Sequence, residues 1–226
     1  MSAPHTSHTV AAHAPMSART NTLWLLAGVA AISVAIGWFT NEHVITRDVY
    51  HRLLDARLDA SRVDAQFDFV QQVAVWGYLA TPIVLVLRLV VVAMTVQLLL
   101  LLGADIPFRV VFRAACWASL AMCAATAART AYLVLLPTEA ITAASLQVVP
   151  SSLASLVMYP QEYKQPLYSL LNLVNVFEIA WCVILYQALR NGSRVTARSA
   201  ALATAGTWAL LSTLQWAFTA YLAAAS

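Results

Sequence analysis

Charged side chains are scarce in this 226-residue chain. It has 13 lysines and arginines and 10 aspartates and glutamates, together 10% of its residues. A soluble domain of ordinary composition has about 25% charged residues. The net charge is only +3, and the basic residues form no run of the kind that binds a phosphate backbone. The composition argues against a nucleic-acid-binding protein and against a soluble fold.

Cysteine and glycine are also few, with three and six residues respectively. The cysteines lie in apolar segments without a CxxC pair, which predicts structural thiols rather than metal ligands or disulfides. No glycine-rich phosphate loop and no recognisable Ser/His/Asp arrangement is present. We therefore expect a non-enzymatic protein with no catalytic residues, no cofactor and no metal.

Apolar residues, in contrast, make up 61% of the chain. A helix needs about 20 mostly apolar residues to cross the roughly 30 Å hydrocarbon layer, and five segments meet this requirement. The sequence predicts an all-α, polytopic transmembrane helical bundle in 22–226. Its predicted spans are 22–40, 78–102, 110–136, 167–187 and 199–223.

The proline-punctuated segment 137–166 separates the third and fourth spans. Within it, residues 140–157 carry no charge, but Pro150 lies near their middle. We expect short helices at the outer interface, or a shallow re-entrant piece, rather than a sixth span.

Arginine placement predicts the orientation. Residues 1–21 are rich in Ser, Thr, Ala, Pro and His, which predicts a disordered tail. With five spans, one side of the membrane holds this tail, the second-to-third turn and the fourth-to-fifth turn. That side has six basic residues and one acidic residue, whereas the other side has five basic and eight acidic residues. The positive-inside rule then places the N-terminus in the cytoplasm and the C-terminus outside, in a bacterial inner membrane.

The segment 44–72 between the first two spans has the most regular pattern. Apolar residues recur there at spacings of three and four, which predicts one external amphipathic helix. The stripe packs either on the protein's own outer loops or, as the sharper alternative, on a membrane-protein partner or a second copy of the chain. Its members are Ile45, Val49, Leu53, Ala56, Ala60, Val63, Phe67 and Val70.

Three ionisable residues fall within spans, where charges are costly and usually have a role. Arg88 and Glu178 lie at matching depths of about 15–17 Å in their predicted spans, which suggests an ion pair. Such a pair either fixes helix register or forms a polar site for a substrate, a proton or a lipid headgroup. The candidate intramembrane polar cluster comprises Arg88, Arg129, Asn172, Asn175 and Glu178.

The order of these features resembles that of bacterial members of the Yip family, membrane proteins named for interaction with Ypt/Rab GTPases. The resemblance is carried by LLNLVNVFEIAWCVILYQAL in the fourth span and by the turn from Gly103 to Arg113. It implies a five-span helical protein with a cytoplasmic N-terminus. Eukaryotic members act in vesicle traffic and membrane shaping, but a bacterial member has no Rab partner.

Three functional hypotheses follow. The first is a non-enzymatic membrane protein that organises or assembles with other membrane components, in the manner of the Yip family. The second is a small transporter or channel with a polar site around Arg88, Arg129 and Glu178. The third is a membrane subunit of a larger complex. They differ in whether the polar residues line a continuous cavity or are sealed between helices.

Overall fold

The computed structural model describes residues 22–54, 59–101, 106–142, 145–157, 166–193 and 195–225. Within these ranges the structure is helical, which confirms the all-α prediction. The predicted tail, 1–21, lies outside the described residues. The α-helices are α1 (Thr22–His43), α2 (Arg47–Leu54), α3 (Ala60–Leu100), α4 (Phe108–Leu135), α5 (Leu153–Val157), α6 (Pro166–Asn172), α7 (Val176–Gly192) and α8 (Ala197–Ala225).

Helix α4 lies at the centre of the bundle, in contact with α1, α3 and α7. Small side chains allow helices in lipid to approach closely, and the buried face of α4 consists mainly of such side chains. Leu185 and Leu189 of α7 are fully buried in the same core. The small residues of α4 in this core are Ala114, Ala115, Cys116, Ala118 and Ala121.

Three helices, α1, α3 and α4, are long and apolar enough to cross a membrane. The outer face of α3 is apolar as well: Leu79, Ile83 and Leu87 recur every four residues and are 63%, 63% and 61% exposed. A helix that faced water would carry polar residues there, so this surface is suited to lipid. The chain is thus compatible with an integral membrane protein with three candidate spans among its described residues, against the five predicted.

The fourth predicted span, 167–187, is interrupted in the structure. Residues 173–175 separate α6 from α7, and the Leu153 N–H donates a hydrogen bond of 3.0 Å to the Val174 carbonyl at the break. Backbone groups within a membrane must be satisfied by protein or by a cavity, and this bond does so for one of the freed carbonyls. The continuous span is corrected to a broken helix.

Residues 137–166 contain only short helices in their described part. Two 3₁₀ turns, Thr138–Ala140 and Ser145–Gln147, precede the five-residue α5. Helix α5 packs on α6, which in turn contacts α8. The described residues of 140–157 therefore do not form a sixth spanning helix.

The predicted external helix, 44–72, is also corrected, because the structure has two helices there. Helix α2 ends at Leu54, and α3 begins at Ala60 after the extended residue Asp59. Helix α2 packs on the first turns of α3. The sequence repeat of three and four runs from α2 into α3 without a change of spacing, so the repeat alone does not reveal where one helix ends.

Polar contacts, together with a ring contact between Tyr50 and Phe67, hold α2 against α3. The Arg47 guanidinium donates to the Asp68 carboxylate at 2.7 Å and lies 3.4 Å from that of Asp64. The His51 Nε2 lies 3.0 Å from the same Asp64 carboxylate. Arg47, Asp64 and Asp68 are about half-exposed, and His51 is less exposed. Ion pairs near the surface contribute about 0–1 kcal/mol each, so these pairs orient the hairpin more than they stabilise it.

The predicted partner face is turned mostly towards the protein itself. Val49 and Val63 are buried, and Val49 belongs to a small core with Leu133 of α4. Packing within the chain therefore accounts for much of the stripe. Ile45, Leu53, Phe67 and Val70 are half-buried, Ala60 is exposed and Ala56 lies outside the described residues.

Candidate functional site: a polar cavity around Glu178

Polar side chains of α3, α7 and α8 line adjoining cavities in the bundle. Three cavities, of about 160, 190 and 510 Å³, share lining residues. Glu178 and Gln215 line all three, and Arg88 lines the first and the third. We call the three together the Glu178 cavity. These polar residues therefore line cavity space and are not all sealed between helices.

The helix break positions Glu178 in this cavity. Asn175 caps α7, and its side-chain oxygen accepts hydrogen bonds from the backbone N–H groups of Phe177 and Glu178 at 3.0 and 2.9 Å. Asn is a preferred N-cap residue, and a carboxylate in the first turn is favoured by the helix dipole. Asn175 also forms an isolated β-bridge with Ser152, which fixes the start of α7. The NVFE sequence thus places an acid at a helix N-terminus that faces a cavity.

Two side chains from other helices oppose the cost of burying the Glu178 carboxylate. Arg88 of α3 acts on it electrostatically, and the Trp208 indole of α8 lines the same cavity. Arg88 and Glu178 do not, however, form a direct ion pair within 4.0 Å; the ion pairs of the described residues join α2 to α3. The predicted Arg88–Glu178 ion pair is therefore corrected: the two residues line one cavity without direct contact between their charged groups.

Asn172 belongs to the second part of the cavity, together with Tyr168 and Thr219. Its backbone carbonyl accepts a hydrogen bond from the Asn175 side chain at 3.0 Å. Its side-chain oxygen is buried and has no hydrogen-bond partner within the part of the chain that the structure describes. A buried acceptor in this state costs about 1–3 kcal/mol unless a water molecule or a ligand satisfies it.

Arg129 lies apart from the other members of the predicted cluster. It lines a further groove between α1, α3 and α4, with Thr40 and Tyr78 among the other lining residues, and this groove shares Thr126 with the first cavity. The structure therefore brings Arg88, Asn175 and Glu178 to one cavity and Asn172 to its adjoining part, while Arg129 has different surroundings.

The polar face of α8 is the part of the site that the sequence prediction missed. Trp208, Ser212, Gln215 and Thr219 recur at spacings of four, three and four, and each lines the Glu178 cavity. A polar stripe in an otherwise apolar helix is a readable signal, because in lipid such a stripe faces protein or a cavity. Ser119 of α4 adds a further hydroxyl.

Cys123 also lines the cavity, with its Sγ 3.6 Å from the Ser33 hydroxyl of α1. Cys116 is fully buried in the core. No group of three or more His, Cys, Asp or Glu residues is placed to hold a metal ion among the described residues. The cavity therefore offers one carboxylate, one guanidinium and several neutral hydrogen-bonding groups to whatever occupies it.

No family model, no curated protein and no solved structure matches this chain. The class of protein is defined by the fold and the cavity alone: a helical protein compatible with membrane insertion, with a polar cavity between its helices. The resemblance to the Yip family stays a prediction.

Proposed function

We propose that this protein is a non-enzymatic integral membrane protein that binds a small charged or zwitterionic solute in the Glu178 cavity, as a small transporter does. The observation that carries the proposal is that Glu178 and Gln215 line three adjoining cavities, with Arg88 facing two of them. We further propose five crossings, with α7 and α8 added to the three candidate spans, and a cytoplasmic N-terminus in a bacterial inner membrane.

The broken helix supports a binding role. Non-helical backbone at membrane depth is tolerated where it is buried in protein or lines a cavity, and helix ends exposed in this way bind charged groups in many transporters. Here the break at 173–175 places Glu178 at the start of α7, directly at the cavity.

Unsatisfied groups support the same conclusion. The Asn172 side-chain oxygen has no partner among the described residues, and Arg88 and Glu178 form no ion pair within 4.0 Å. Two opposite charges inside a bundle would gain most by pairing directly. A cavity that keeps them apart leaves both available to a solute.

Assembly with other membrane components, alone or as a subunit of a larger complex, is the second candidate. Helix α3 has 41 residues, about 60 Å at 1.5 Å per residue, and extends well beyond a roughly 30 Å hydrocarbon layer. In the part of α3 that precedes the predicted span 78–102, Phe69, Val73 and Trp76 are 64%, 45% and 71% exposed. Their spacings of four and three align them on one apolar face that suits a membrane-protein partner or a second copy.

A thermal-shift screen of the purified protein tests the binding proposal. Amino acids, dicarboxylates and polyamines are added singly to wild type, Glu178→Gln and Arg88→Gln. A solute at 100 times its dissociation constant stabilises the folded state by about 2.7 kcal/mol, which raises the Tm of a chain of this size by several degrees. We expect at least one solute to do so in wild type and to lose most of its effect in both variants.

Glu139→Gln is the matched control, because Glu139 is an exposed carboxylate outside the cavity. It should keep the full shift. A solute that stabilises wild type and Glu178→Gln equally binds elsewhere and counts against the proposal. Absence of any shift across the panel, with co-purification of a partner abolished by Phe69→Asp, would favour the assembly candidate instead.

A further inference from the structure

A second polar groove lies between α1, α3 and α4, beside the Glu178 cavity, with which it shares Thr126 among the lining residues. It has a volume of about 530 Å³, and Arg129 is the charged residue among its described lining residues. No acidic side chain is among those lining residues, so none of them neutralises the positive charge. Its other polar lining residues are Thr40, Asn41, Tyr78, Thr81, Thr126 and Thr130.

Most of the hydroxyl groups around Arg129 already donate a hydrogen bond to a backbone carbonyl. Thr81 donates to the Gly77 carbonyl at 2.8 Å, and Thr126 donates to the Met122 carbonyl at 3.0 Å. A hydroxyl has one hydrogen to donate but two acceptor positions. These groups therefore offer acceptor oxygens to the groove, which suits a ligand that carries hydroxyl groups.

Thr40 and Thr130 follow the same pattern. Thr40 donates to the Ile36 carbonyl at 2.8 Å, and the Thr40 and Thr130 hydroxyl oxygens lie 2.8 Å apart. The Asn41 amide nitrogen donates to the Gln71 side-chain oxygen at 3.0 Å, which leaves the Asn41 oxygen as an acceptor. The groove thus combines one cation with a group of neutral acceptors.

The groove lies near one end of the bundle. Asn41 is in the last turn of α1, and Arg129 is six residues from the end of α4, or about 9 Å at 1.5 Å per residue. A long arginine side chain extends to the level of lipid headgroups from such a depth. Gly37 and Gly77 widen the groove, because a Cβ added at either would meet nothing within 4 Å.

The geometry points to a phospholipid site: the Arg129 groove binds the phosphate of an anionic phospholipid whose headgroup is neutral and bears hydroxyls, as in phosphatidylglycerol. Arg129 provides the charge-assisted donors for the phosphate, and the threonine and asparagine oxygens accept hydrogen bonds from the headgroup hydroxyls. Phosphatidylethanolamine is disfavoured, because its ammonium group would lie near Arg129 with no acidic partner among the described lining residues.

Native mass spectrometry of the detergent-purified protein tests this inference, with phosphatidylglycerol, phosphatidylethanolamine or inorganic phosphate added. We expect wild type to retain one phosphatidylglycerol in preference to phosphatidylethanolamine. Arg129→Gln should weaken retention about tenfold or more, since it removes a charged donor. Arg109→Gln, the same change at the opposite end of α4, should retain the lipid as wild type does.

A steric variant tests the site without changing charge. Gly77→Leu fills the groove and should reduce retention, whereas Gly28→Leu enters similarly open space away from the groove and should not. A thermal melt confirms that each variant is folded. Equal phosphatidylglycerol retention by wild type, Arg129→Gln and Gly77→Leu overturns the inference, as does equal retention of the two phospholipids. Retention of inorganic phosphate equal to that of phosphatidylglycerol overturns the lipid assignment.

Discussion

A double-mutant cycle between Arg88 and Glu178 should reveal a moderate coupling rather than that of a contact ion pair. Arg88→Met keeps most of the aliphatic stem, and Glu178→Gln keeps the shape, so both remove charge with little change in volume. The two groups lie on one cavity, yet they do not approach within 4.0 Å. Their interaction is therefore electrostatic across a polar space.

Coulomb's law bounds the magnitude. Two unit charges 4 Å apart interact by about 4 kcal/mol at an effective dielectric constant of 20 and by about 1 kcal/mol in water. A longer separation across a polar cavity should give a coupling of roughly 0.5–2 kcal/mol. A buried contact pair would behave differently, because each single substitution would strand the other charge at a cost of about 3–5 kcal/mol.

Denaturant unfolding in detergent measures the four free energies of unfolding. The control cycle combines Arg109→Met with Glu178→Gln; Arg109 is exposed at the start of α4, so these changes should add to within about 0.5 kcal/mol. A coupling of 3 kcal/mol or more between Arg88 and Glu178 would show that they are in contact. Strict additivity would show that the two charges do not act on each other, and either result refutes the reasoning.

Three further predictions concern the cap, the hairpin and the topology. Asn175→Ala removes the two hydrogen bonds that cap α7 and should lower the free energy of unfolding by about 0.5–2 kcal/mol. Asn175→Asp keeps an acceptor and should lower it less. Denaturant unfolding measures both. Val63→Asp places a charge at a fully buried position and should prevent folding, which size-exclusion chromatography measures. The control Ala60→Asp changes an exposed residue and should be tolerated. If Val63→Asp folds, Val63 faces solvent or a partner instead. Reporter fusions after Gly192 should be cytoplasmic and fusions after Ser226 external; two cytoplasmic results would exclude five crossings.

The long apolar helices could be predicted from sequence because hydropathy acts over whole segments. Segments 22–40 and 110–136 correspond closely to α1 and α4, and 78–102 to the second part of α3. Each of these segments fills most of a membrane crossing by itself, so tertiary contacts are not needed to specify it. The same argument identified Arg88 and Glu178 as unusual, because a charge in lipid requires compensation whatever the fold.

The break before α7 was missed because local sequence does not mark it strongly. The run LLNLVN has no Gly or Pro, and the break is held by the hydrogen bond from Leu153, which is distant in sequence. The only local signal is Asn175 followed three residues later by Glu178, a pattern typical of a helix N-terminus. The separation of Arg129 from the cluster likewise depends on helix rotation, which depth along a span does not specify.

The reaction of Cys123 with a small, charged, water-soluble thiol reagent in lipid nanodiscs tests the central claim most directly. Cys123 lines the Glu178 cavity, whereas Cys116 is fully buried in the helical core. Mass spectrometry of the intact protein and its peptides identifies which thiol is modified and how fast. The cavity predicts that Cys123 reacts readily and Cys116 does not, and that Gln215→Trp, which narrows the cavity, slows the reaction. A Cys123 as unreactive as Cys116 in folded protein would show that no polar cavity reaches it, and would contradict the account.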